Sequence, residues 1–304
     1  MRVRLGQYVG YNRRLNDSGR HSLNSLLDRL KSWPLNVLPH HFVSRLVFRL
    51  TRIEGRLVPS VIRAFSKLYN VNLDEAVHSD PGHYRSFNEF FTRELHPNSR
   101  TIDQSASGIA SPVDGCVSQL GRITDGKLYQ AKGIDYSLLD LVGGREADAS
   151  PFSNGHFATL YLSPRDYHRI HMPITGKLTS MHYVPGRLYS VAPHTVRTVS
   201  GLFARNERVV CLFDTDAGKL AMVLVGAINV AAIETVWAGL ITPPNSKHVI
   251  HRDYDEHQEF SKGAEMGRFN MGSTVILLLE NGKDWKPGLA EGSPVQLGEL
   301  IGEF

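Results

Sequence analysis

Gly267-Arg268-Phe269-Asn270-Met271-Gly272-Ser273-Thr274-Val275-Ile276-Leu277 runs from a turn-prone segment straight into a β-branched, apolar run. Ser273 therefore falls where a loop meets a strand. Gly272 has no Cβ, so its carbonyl is open to approach from either face. A hydroxyl beside an unshielded carbonyl is a candidate internal nucleophile. The plainer reading is a strand that merely opens with Gly-Ser-Thr, and the choice between the two rests on the rest of the chain.

Upstream of this stretch, from about residue 105, short β-type runs alternate with Gly/Pro/Asp turns. They include Gly115-Cys116-Val117, Phe157 to Leu162, Val209 to Phe213 and Ala221 to Val225, and Val275 to Leu279 closes the series. Before that point the pattern is helical. Ser22 to Lys31 reads as a short helix. Over Pro39–Ile53, Phe42, Val43, Leu46, Val47, Leu50 and Ile53 share one helical face, and Arg45, Arg49 and Arg52 another. Pro59 opens a second amphipathic helix, with Val61, Phe65, Leu68 and Tyr69 on one side. Ser86-Phe87-Asn88-Glu89 has capping-box spacing and starts a helix through Phe90, Phe91 and Leu95. The expected class is α+β: a helical N-terminal region, 1–105, then a β-rich catalytic domain of mixed and antiparallel sheets, 106–304.

The 304 residues suffice for a large core. Residues 1–70 hold 13 Lys+Arg against 3 Asp+Glu, and the rest hold 21 against 27. A basic, amphipathic N-terminal part suits an anionic membrane surface, although such faces also pack on a protein's own core. Nucleic acid is not expected, because no recognised binding motif appears. The most apolar window, Leu220 to Ile241, is broken by Asn229 and Glu234 and reads as buried strands rather than a membrane span. Cys116 and Cys211 do not suggest a disulfide framework.

Asp114, His171 and Ser273 are an acid, a histidine and a hydroxyl, the set needed for a nucleophilic relay. A lipase-type elbow is absent, since position 275 is Val rather than Gly. His168 and His171 lack the HExxH spacing and a third ligand nearby, so no metal is expected there.

The chain closely resembles the phosphatidylserine decarboxylases, pyruvoyl-dependent enzymes of bacterial and mitochondrial membranes. The resemblance runs from about Tyr84 to near the end. It includes Ser86 through Phe91, Pro112-Val113-Asp114-Gly115, Gln130 through Gly133, Tyr161 through Pro173 and Tyr183 through Gly186. It continues through Leu202 to Arg208, Glu234 to Gly239, Glu265 to Phe269 and Gly272-Ser273-Thr274. The family's usual Leu-Gly-Ser-Thr is here Met271-Gly272-Ser273-Thr274, a change that roughly keeps volume and polarity.

The resemblance implies a carboxy-lyase that first cleaves itself. Asp114 and His171 would activate Ser273 to attack the Gly272 carbonyl. Elimination from the resulting ester would leave a β chain, 1–272, and an α chain, 273–304, blocked by a pyruvoyl group derived from Ser273. That group would form a Schiff base with phosphatidylserine and act as electron sink when CO₂ leaves, giving phosphatidylethanolamine. His168 is the candidate proton donor, and Ser190 is a candidate lining residue by motif position alone. The expected setting is the cytoplasmic side of the cell membrane, peripherally bound, as a heterodimer of the two fragments; a dimer of that pair stays open. Two rival functions are a serine hydrolase of lipid esters and a non-catalytic lipid-binding protein. Neither predicts a backbone break at one Gly-Ser bond.

Overall fold

The computed structural model describes residues 40–304 apart from 132, 229–231, 243–245, 255–257, 272 and 273. The helix expected over Ser22–Lys31 lies outside these residues, as do Gly272 and Ser273 themselves. The elements follow the expected α+β order: helices first, then mostly antiparallel sheet.

The hydrophobic run after Ser273 decides the architecture. Thr274–Leu279 alternates no polar residue, and each of its six residues is buried. Such a strand must be covered on both faces and paired on both edges. It forms β8 of a nine-stranded sheet whose other strands are β1 (Gly115–Arg122), β2 (His156–Tyr161), β3 (Gly176–Val184), β4 (Arg208–Thr215), β5 (Gly218–Val225), β6 (Ile250–Asp253), β7 (Glu259–Phe260) and β9 (Pro294–Val295). Their spatial order is β6-β3-β4-β5-β8-β2-β1-β9, with β7 also paired to β3. β8 thus lies between β5 and β2, antiparallel to both. A second, four-stranded sheet contains Arg169–His171, Ile233–Thr235, Gly239–Leu240 and Glu265–Phe269. The chain passes from Glu265–Phe269 in the small sheet to β8 in the large one, so it crosses between the sheets after Phe269 and before Thr274.

The N-terminal helices α1 (His40–Leu50) and α2 (Val58–Tyr69) form where the apolar periodicity places them. Their apolar faces divide, however. Val58 and Ile62 are buried in a small cluster with Tyr84, Phe90 and Phe91, against which Phe65, Phe87 and Met271 also pack. Phe42, Leu46, Leu50, Ile53, Leu57, Val61 and Leu68 stay exposed, Leu57 and Leu68 at 78% and 75%. Arg52, grouped by the helical pattern with Arg45 and Arg49, stacks on Phe48 and donates to Asn270 Oδ1 at 2.9 Å.

The capped helix α3 (Phe87–Phe91) is shorter than expected. Ser86 Oγ accepts from Glu89 N at 3.2 Å, so the N-cap is as read. Residues beyond Thr92 leave the helix because Ala76 and Leu95 pair, with Val77 N donating to Glu94 O and His96 N to Glu75 O. Extended backbone bonds there replace the helical ones that Leu95 would have needed. Among the described residues, no helix is long and apolar enough to cross a membrane. Both cysteines are free.

Candidate active site

Strand register explains why residues far apart in sequence meet. Val184, Arg208, Val225, Thr274, Tyr161, Cys116 and Pro294 form one row across the large sheet. Each segment holding a candidate leaves the sheet at this row. Asp114 immediately precedes β1, and Ser273 immediately precedes β8. His168 and His171 follow β2, and Ser190 follows β3.

Asp114 is buried, and both carboxylate oxygens are engaged. Oδ1 accepts from Arg100 Nε at 2.9 Å and from Leu297 N at 2.8 Å, and Oδ2 accepts from Arg100 Nη2 at 2.5 Å. Arg100 also reaches Glu75 Oε2 at 2.7 Å. Hydrogen bonding to Asp114 raises the Arg100 pKa further above its already high value. This bidentate pair fixes the carboxylate's orientation more firmly than a single bond would.

His171 ends a strand of the small sheet, and its backbone N donates to Pro112 O at 2.9 Å, which brings the Asp114 loop alongside. No hydrogen bond joins the Asp114 carboxylate to the His171 ring. His171 Nδ1 faces Gly263 O at 2.9 Å, and Nε2 faces the Tyr167 hydroxyl at 3.2 Å. A carbonyl only accepts, so Nδ1 carries the proton and Nε2 is the basic lone pair, accepting from Tyr167. Burial lowers the His171 pKa, opposed by the Gly263 bond and by the fields of Glu265 and Asp114. Gly263 therefore fixes the tautomer, and Asp114 acts on the ring through space.

His168 is fully buried, its ring centroid 4.0 Å from that of Phe91. Nδ1 donates to Asp166 O at 2.8 Å, and Nε2 is buried with no hydrogen-bond partner. Burial, aided by the nearby Arg93 charge, pulls its pKa from 6.5 down to about 3. The resting imidazole is thus neutral, with an unused lone pair on Nε2. The main chain of His168 is held by Phe269 N, four residues before Ser273.

These shifts have a consequence for stability. Between pH 6.5 and 3 the unfolded chain binds a proton at His168 that the folded chain refuses, so stability falls as pH drops through that window. His171 acts in the same direction. Urea midpoints measured down the pH scale should decline less steeply for His168→Ala than for wild type.

Ser190 is half-buried, and its Oγ accepts from Ala192 N at 3.3 Å. Asn206 ties the neighbouring Tyr189 to the row. Its Oδ1 accepts from Tyr189 N, and its Nδ2 donates to Tyr189 O and to Gly226 O. Gly226 directly follows Val225, the register partner of Thr274.

The sequence reading missed several residues. Arg100 sits in a turn with no motif of its own. Tyr167 lay unremarked inside the Tyr161–Pro173 motif. Asn270, two residues before Gly272, is buried and accepts from both Arg52 and Asn88, while its N donates to Ala232 O at 2.8 Å. These contacts depend on long-range packing. A cavity of about 310 Å³ lies beside Asp114 and is lined in part by Arg93, Arg100, Arg165, Asp166 and Tyr167. A larger cavity, about 500 Å³ near Arg122, His156 and Glu280, is at the opposite end of the same strands and holds none of the candidates.

Residues 87–303 match the family described as phosphatidylserine decarboxylase. The chain belongs to the phosphatidylserine decarboxylase family. A second model, described as PSD, matches residues 30–70. Relatives named phosphatidylserine decarboxylase proenzyme are similar over almost their whole length. The one from Alteromonas mediterranea is 53% identical over 279 residues, covering 90% of this chain and 86% of its own. The one from Nitrosococcus oceani is 52% identical over 289 residues, covering 92% and 94%. The one from Shewanella amazonensis is 54% identical over 271 residues, covering 88% and 94%. The family match spans every candidate residue, from Asp114 to Ser273.

Proposed function

We propose that this chain cleaves itself between Gly272 and Ser273 and then decarboxylates phosphatidylserine to phosphatidylethanolamine. The observation that carries the reading is His168: a buried neutral imidazole whose Nε2 has no partner, on the segment that leaves the sheet beside Thr274. A buried polar atom without a partner is costly, and its retention points to a role with a ligand.

In the first reaction Ser273 Oγ attacks the Gly272 carbonyl, and the serine proton must go to a base. His171 Nε2 is the atom that holds it, directly or through the Tyr167 hydroxyl bonded to it. Gly263 O keeps the ring in the right tautomer, and the Asp114 charge stabilises the imidazolium that forms. Asn270, clamped by Arg52 and Asn88, holds the N-terminal side of the crossover, and β8 holds the other. The fragments, 1–272 and 273–304, would remain one heterodimer because β8 is buried between two strands of the larger fragment.

The residues present suit a small polar group at position 273. His168 Nε2 and Thr274 Oγ1, the latter on the adjoining residue, are both buried without a hydrogen-bond partner. A pyruvoyl ketone there would supply the electron sink for the carbanion left by CO₂. His168 Nε2 delivers the proton to that carbon. It starts as a lone pair, so it takes up the proton only after substrate enters: the serine headgroup brings an ammonium as source and a carboxylate whose charge favours the imidazolium.

We further propose that the enzyme lies on the cytoplasmic face of the cell membrane through α1 and α2. The exposed Phe42, Leu46, Leu50, Val61 and Leu68, beside the exposed Arg45 and Arg49, support this. Arg45→Glu with Arg49→Glu should reduce co-sedimentation with phosphatidylserine vesicles several-fold at low salt, each basic residue contributing about 1 kcal/mol near such a surface. Unchanged sedimentation would remove these helices from that role.

An intact-mass measurement tests the central reading. Two fragments matching 1–272 and 273–304, the smaller lacking the mass of ammonia and ending in a ketone, are expected. A single 304-residue chain that still converts phosphatidylserine would overturn it.

A further inference from the structure

On the far flank of the large sheet, three side chains converge that take no part in the chemistry above. Asp148 comes from the short helix Glu146–Ala149, His182 from β3 and His251 from β6. His182 and His251 are direct cross-strand partners. One possible ligand atom from each of the three lies within 4.8 Å of one from each of the others. We propose that these residues form a binding site for a single divalent transition-metal ion of the zinc type.

The distances suit it. His182 Nδ1 and His251 Nδ1 are 3.0 Å apart, and Asp148 Oδ2 is 3.0 Å from His182 Nε2. An ion takes only one ring nitrogen of His182, so the two approaches cannot both become bonds to it. One atom from each residue lies within 4.8 Å of the others, and ligands on an ion with bonds of about 2.1 Å are at most about 4.2 Å apart, so side-chain rotations that close the set by about an ångström complete the site. His182 is fully buried and Asp148 nearly so, while His251 is exposed, which gives a rigid inner pair and an entrance. Asp148 Oδ2 is buried yet makes no aligned hydrogen bond, although His182 and Arg145 lie close. That oxygen is the ligand atom left unused.

The framework is held independently of any ion. Buried Arg208 donates to Leu141 O at 2.7 Å and to Asp140 O, pinning the segment that leads into the Asp148 helix. Arg145 Nε, 3.3 Å from Asp148 Oδ2, is the competing cation. Its side chain is 41% exposed and already approaches Asp253 Oδ1 at 3.6 Å, a second place for its charge. Two imidazoles with one carboxylate favour zinc over magnesium or calcium, which prefer all-oxygen shells. The ion would clip the edge strand β6 to β3, three strands from β8.

Calorimetric titration of the full chain with zinc chloride, after chelator treatment and dialysis, tests this. One zinc per chain is expected, with a rise in Tm on adding it. His251→Ala should weaken that binding at least tenfold and abolish the Tm rise. His248→Ala, at a neighbouring exposed histidine, should change neither. Cobalt in place of zinc should give visible absorption bands in wild type and not in His251→Ala. If His251→Ala proves unstable, His251→Gln, which keeps bulk but cannot complete the site, must behave the same way. No stoichiometric zinc in wild type, or equal binding by wild type and both His251 variants, overturns the proposal.

Discussion

Ser273→Ala is expected to remain one uncleaved chain with no decarboxylase activity. Without the hydroxyl nothing attacks the Gly272 carbonyl, and without that attack no ketone forms. Both reactions are lost together, so the effect is limited only by assay sensitivity. In wild type the 32-residue fragment from 273 to 304 should resist Edman sequencing, and borohydride should trap it on substrate. His171→Ala should also stay uncleaved, or cleave about 10²–10⁴-fold more slowly, since it removes the base. Efficient cleavage by His171→Ala would take His171 out of the relay and leave the ketone standing. Asp114→Asn needs a more careful reading. Its carboxylate pairs with Arg100 rather than touching the His171 ring, so the variant loses an ion pair as well as a charge felt by the base. Slow cleavage with unchanged urea stability would favour the electrostatic role, whereas slow cleavage with lowered stability would make Asp114 a framework residue.

His168→Ala separates the two reactions. It should self-cleave like wild type, because His171 and Tyr167 supply the proton route for the first step. Decarboxylation should fall about 10²–10⁴-fold, the usual worth of a positioned general acid. The loss should appear in kcat more than in KM, because the proton is delivered at the transition state. Fragment ratios on a gel, read beside CO₂ release, distinguish the cases. Failure to cleave would move His168 into the first reaction, and near-normal CO₂ release would remove it from the second. Replacing the ring also opens a cavity against Phe91, so a His168→Gln variant checks that packing alone does not explain the loss.

Much of this was readable along the chain because it is local. Val275 to Leu279 has no polar residue, and a run that short, opened by β-branched residues and bounded by Gly272 and Gly282, reads as a strand covered on both sides, which is what β8 is. The Ser86 cap and the start of α2 at Pro59 are set within a few residues, and both form as read. The family could be recognised for the same reason, since its motifs are contiguous words. The sequence also supplied the residue types of the site: an acid, two histidines and a serine beside a glycine.

What only the tertiary structure decided depends on register and on partners distant in sequence. Pairing of Thr274 with Tyr161 and Val225 gathers the candidates at one end of the sheet, and no local pattern encodes that alignment. The residue types and the family resemblance suggested that Asp114 orients His171. Packing gave Asp114 to Arg100 and Leu297, and gave the imidazole to Gly263 and Tyr167, because each buried polar atom takes the partner the fold puts within reach. Arg52, grouped with Arg45 and Arg49 by the helical pattern, likewise binds Asn270, 218 residues away. α3 stopped short of Leu95 because Ala76 offered strand-like pairing. The protonation of His168 is also a tertiary property: a histidine in sequence has an ordinary pKa, and only complete burial beside Arg93 holds it neutral.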